Sequence, residues 1–78
     1  MNIEEGNVQR ILKIGHAALW DHDWGGAVQA YTAALQEFPD HPVGLSSLGL
    51  ALFHQRKYSE SLRIFQQLAQ QQPEDPMP

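Results

Sequence analysis

The chain repeats itself every 34 residues. At that spacing Gly15 answers to Gly49, Ile14 to Leu48, Ile11 to Leu45 and Ala18 to Leu52. Further along, Trp24 answers to Tyr58, Tyr31 to Phe65, Pro39 to Pro73 and Pro42 to Pro76. A fixed period of this length is the mark of stacked supersecondary units, each unable to bury its apolar face alone and each covered by the next. A chain of 78 residues holds two such units. It buries only about 60% of its unfolded surface, so the joint between the units matters to its stability.

Within each unit the apolar residues recur at helical rather than strand spacing. Val8, Ile11, Leu12, Ile14, Ala18 and Leu19 lie on one face of a 3.6-residue period. Ala27, Val28, Tyr31, Ala34, Leu35 and Phe38 form a second run that stops at Pro39-Asp40-His41-Pro42. Leu45, Leu48, Leu52 and Phe53 form a third, and Tyr58, Leu62, Phe65, Leu68 and Ala69 a fourth. Composition agrees: nine Leu, eight Ala and nine Gln outweigh eight Val, Ile and Thr together. The pattern predicts four helices near 7–20, 24–37, 42–54 and 58–71, with Asp23 as the N-cap of the second. The fold class is therefore all-α: two stacked helix-turn-helix repeats, four antiparallel helices forming a fragment of an α-solenoid. The expected organisation is a lead-in over 1–7, a first repeat over 8–41, a second over 42–75, and a tail over 76–78 at the threshold of a further repeat.

These residues resemble the tetratricopeptide repeat. The family's Trp-x-x-Leu-Gly-x-x-Tyr segment is similar to Ile11-x-x-Ile14-Gly15-x-x-Ala18 and to Leu45-x-x-Leu48-Gly49-x-x-Leu52. Its Ala-x-x-x-Phe segment is similar to Ala27-x-x-x-Tyr31 and Ser61-x-x-x-Phe65, and its closing proline to Pro39 and Pro73. Ala34 matches the family's second small position and Leu68 departs from it. The large residues at the family's Trp and Tyr places are aliphatic here.

A glycine inside a helix costs roughly 1 kcal/mol against alanine. Close helix approach is the expected reason for Gly15 and Gly49, with Gly15 letting Ala27 of the partner helix sit against the backbone and Gly49 doing the same for Ser61. Trp24 and Tyr58 are expected to close the turns as apolar lids, and Pro39 and Pro73 to stop the second helix of each pair.

The chemistry the residues exclude is as informative. With no cysteine there is no thiol nucleophile, thiolate metal site or disulfide. No glycine-rich phosphate loop occurs, and no serine stands with a base and an orienting carboxylate. His16, Asp21, His22 and Asp23 read as an inter-helix turn rather than a zinc or copper site, since no helix face collects three ligands. His41 and His54 read as solvated. The expectation is a non-catalytic protein with no cofactor and no metal. Five Lys and Arg against nine Asp and Glu, a net charge of −4, argue against a nucleic-acid surface. No apolar run is long enough for a membrane span. The acidic Met1-Asn2-Ile3-Glu4-Glu5 predicts no signal or transit peptide, and a cytoplasmic location is expected.

The resemblance implies function through surface shape. In the family the first helix of every repeat lines a concave groove that takes a partner peptide. Carried over, that groove contains Gln9, Leu12, Lys13, His16, Leu19 and Trp20 from the first copy, and Val43, Ser46, Ser47, Leu50, Phe53 and His54 from the second. Leu12, Lys13, His16, Trp20, Ser47, Leu50 and His54 are the candidate peptide-contacting residues, with Trp20 and Leu50 expected to be exposed. Some family members grip a partner's C-terminal carboxylate with paired Lys and Asn; Leu12 and His16 stand at the matching places, which disfavours that partner class. The leading expectation is a module or adaptor that binds a protein or peptide partner. The alternative is self-assembly, in which the fourth helix, lacking a capping neighbour, meets its twin across a two-fold axis or by helix exchange. Ile64, Phe65 and Leu68 are the candidate residues for that homodimer.

Overall fold

The computed structural model describes residues 3–71, all helix and short turns. Four helices follow in order: α1 (Ile3–Trp20), α2 (Trp24–Glu37), α3 (Pro42–His54) and α4 (Tyr58–Gln71). Three sets of bounds agree closely with the sequence expectation. Helix α1 starts four residues earlier, because Gly6 and Asn7 are exposed and carry no apolar signal of the turn they occupy. The expected stop at Pro73 and the 76–78 tail lie outside the described residues.

Each helix packs on its chain neighbours. Helix α1 lies against α2, α2 against α3 and α3 against α4, so α2 is covered on both sides. The core follows that order, with Val8 and Leu12 from α1, Ala27, Tyr31 and Ala34 from α2, and Leu48, Ala51 and Leu52 from α3. By contrast Ser61 is the one buried residue of α4 among the described residues.

The two glycines do mark close approach, but to a different partner. A Cβ on Gly15 would lie 2.7 Å from the Tyr31 ring, and one on Gly49 2.7 Å from the Phe65 ring. The aromatic side chain, not Ala27, is what the bare backbone at Gly15 makes room for. In the second pair Ser61 does reach Gly49, by donating its Oγ–H to the carbonyl at 2.7 Å. A small residue on the second helix lets the pair close, and the ring one turn later fills the space.

The turns inside the pairs are alike. His22 and Arg56, also 34 positions apart, both adopt left-handed backbone, with φ of 61° and 66°. The backbone N–H of Asp23 donates to the Ala18 carbonyl at 2.8 Å and that of Lys57 to Leu52 at 2.9 Å, closing the last turn of α1 and of α3. Asp23 is also the expected N-cap of α2, its carboxylate accepting from the Gly26 N–H at 3.0 Å. Helix α3 begins with Pro42 at its first turn, and His41 caps it by accepting from the Gly44 N–H at 3.3 Å. His41, expected to be solvated, is a structural cap.

Candidate peptide groove and the open end of the bundle

Tyr31 organises the surface shared by α1 and α3. Its ring is fully buried beneath Gly15, and its hydroxyl pairs with Nδ1 of His16 on α1. Burial pushes the Tyr31 phenol above its ordinary value, and a side-chain hydrogen bond with Ser47 of α3 opposes that rise. The hydroxyl therefore anchors His16 of α1 to the core residue Tyr31 of α2. Lys13 precedes His16 by three residues and Leu50 follows Ser47 by three, which puts each on the same helical face as its neighbour. Lys13, His16 and Leu50 are exposed and Ser47 is half-buried.

Of the seven residues expected in the groove, His16 is the one that pairs with the Tyr31 hydroxyl, while by spacing Lys13 shares its face of α1, and Ser47 and Leu50 share a face of α3. Leu12 joins neither. It is only 3% exposed and belongs to the core, because its place on α1 faces α2 rather than the groove. His54 is exposed, but its ring lies flat on Trp24, with centroids 4.2 Å apart and planes 9° from parallel. It is committed to the joint between the pairs. Trp24 also stacks at 5.2 Å on His22, in the turn that it was expected to close, so it covers its own turn as well as the α2–α3 joint. Trp20, at the end of α1, is 88% exposed, as expected of it, and so is Leu50 to a lesser degree.

A second apolar surface lies at the α3–α4 end. Phe53, Tyr58, Ser61, Leu62 and Phe65 line a cleft of about 430 Å³ with almost no polar wall. Phe53 and Tyr58 meet edge to face at 5.3 Å across the α3–α4 turn, and Tyr58 stays exposed there. Of the three residues expected to mediate self-association, Phe65 alone lines this cleft. Ile64 is half-buried against the core, on a separate cleft with Val28 and Leu52, and Leu68 is half-buried. Their counterparts explain this: Ala30 and Ala34 stand in their places in α2 and are buried. Phe53, expected in the peptide groove, lines this cleft instead, with Tyr58 and Leu62, neither of which was expected as a site residue.

Among the described residues no three His, Asp or Glu side chains converge as a metal site would require. No described helix is long and apolar enough to cross a membrane. No curated protein and no solved structure matches the chain. The sequence profile of one family, described as "Tetratricopeptide repeat", matches residues 12–76. With paired helices, glycine-to-aromatic packing and a 34-residue correspondence, the chain belongs to the tetratricopeptide repeat family.

Proposed function

We propose that this chain is a non-catalytic interaction module that holds a partner peptide along the surface shared by α1 and α3. Membership of a family of protein-interaction repeats supports the general reading. The observation that carries the finer one is the buried Tyr31, whose hydroxyl pairs with Nδ1 of the exposed His16 and so fixes that side chain on α1 before any partner arrives. A side chain fixed in advance lowers the ordering cost of binding. Leu50 offers an exposed apolar contact on α3, and Lys13 offers a cation on a chain of net charge −4. The peptide that fits carries an apolar side chain for Leu50 and a carboxylate within reach of Lys13.

The test uses peptides selected by phage display on the Leu62→Glu chain, a change outside this surface. Leu50→Asp on that background should weaken the selected peptide about tenfold or more, the loss of roughly 1.4 kcal/mol. Lys13→Glu should weaken peptides that carry the carboxylate. Unchanged affinity in both variants would place the peptide elsewhere.

A further inference from the structure

The internal joint of this protein shows what each of its open ends lacks. Helix α3 covers α2, and Tyr31 there is 0% exposed. Its counterpart Phe65 on α4 is 38% exposed, and Leu62, counterpart of the half-buried Val28, is 59% exposed. At the other end the relation is reversed. Leu48, on the α3 face that covers α2, is 7% exposed, whereas its counterpart Ile14 on α1 is 58% exposed. Buried Ala51 likewise has an exposed counterpart in Ala17. The molecule thus makes one joint inside itself and displays both halves of a second.

We propose that the occupant of the Phe53–Tyr58–Leu62–Phe65 cleft is α1 of a second copy of this chain, seated in the register that α3 uses on α2. The substitutions between the two copies of the repeat are complementary in that register. The Trp24–His54 stack becomes Tyr58 against Trp20, two aromatic residues that are both exposed in the single chain. Val28 and Leu52, which flank one cleft, become Leu62 and Ala18, so a larger side chain on one helix meets a smaller one on the other. At Gly44 a Cβ would lie 3.0 Å from Leu35. In the second joint Arg10 takes the glycine's place, and Ala69 in place of Leu35 leaves the space. Because the two faces differ, the contact is head-to-tail: it extends the solenoid instead of closing a two-fold dimer.

Sedimentation of four samples from micromolar to millimolar tests this: wild type, Ile14→Glu, Leu62→Glu, and the two variants mixed. Neither residue belongs to the peptide surface, so this result and the peptide result stand apart. Wild type should grow with concentration past the dimer, from a protomer of 8.8 kDa. Each variant alone should associate at least about tenfold more weakly. The mixture should form a dimer and stop there, since one partner keeps an intact α4 face and the other an intact α1 face. Ala17→Gln and Tyr58→Ser form a second pair with the same expected pattern, should a charged variant lose its helical circular dichroism. A wild type that stays monomeric, an Ile14→Glu chain that associates like wild type, or a mixture that stays monomeric would each overturn the proposal. The second of these outcomes would mean an α4-to-α4 contact, and the first a face that the single chain leaves in water.

Discussion

Trp24 and His54 lie face to face, 4.2 Å between ring centroids and 9° from parallel, across the joint between the two helix pairs. They join the first residue of α2 to the last residue of α3, so the contact reports whether the pairs are docked. Aromatic pairs in such geometry contribute about 0.5–1.5 kcal/mol beyond area burial. A double-mutant cycle with Trp24→Ala and His54→Ala should show a coupling of that size in urea unfolding. Strict additivity would mean that the rings are neighbours without being partners.

Gly15→Ala and Gly49→Ala should differ, although both improve helix propensity by roughly 1 kcal/mol. Each new Cβ meets an aromatic ring at 2.7 Å. Tyr31 is enclosed and cannot yield without disturbing the core, whereas Phe65 borders an open cleft and can swing outward. Gly15→Ala should destabilise by about 1–3 kcal/mol, the usual range for overpacking. Gly49→Ala should cost much less or nothing. Equal costs measured by chemical unfolding would contradict the assignment of the two rings.

Arg56→Gly should raise stability. Arg56 has φ of 66°, a left-handed conformation that costs a side-chain-bearing residue roughly 1 kcal/mol and glycine little. In a domain of this size, a gain of that order raises Tm by about 4–8 °C. A Tm at or below wild type would show that the arginine side chain makes a compensating contact.

Much of this architecture was legible in the residues. The period placed the helices, and Asp23 before Trp24 gave the cap. The less legible parts depended on which side of a helix faces which neighbour. Leu12 sits between two faces of α1, and Ser46, its counterpart, gave no warning that the place is interior. The packing of Tyr31 under Gly15 depends on how far α1 and α2 slide along each other, which no residue type encodes. Ile64 and Leu68 are half-buried for a different reason: they stand at the places of Ala30 and Ala34, which face inward in α2.

Alkaline stability should depend on Tyr31. The folded chain holds the phenol proton more tightly than the unfolded chain, chiefly through burial. That contribution is complete below the ordinary phenol value of about 10 and is lost as pH rises through the raised folded value. Urea midpoints from pH 8 to 11 should therefore fall for wild type. Tyr31→Phe should lack this component while losing about 1 kcal/mol at neutral pH from the missing hydroxyl contact with His16. Phe65 in the equivalent place shows that a phenyl ring fits the packing. Parallel pH curves for the two proteins would show that Tyr31 does not govern the alkaline range.

The most direct measurement of the central claim is chemical-shift mapping of a selected peptide on the isotopically labelled Leu62→Glu chain. The amides of Lys13, His16, Ser47 and Leu50 should move together and saturate with a single affinity. Shifts confined to Phe53, Tyr58 and Phe65, with His16 undisturbed, would contradict the claim.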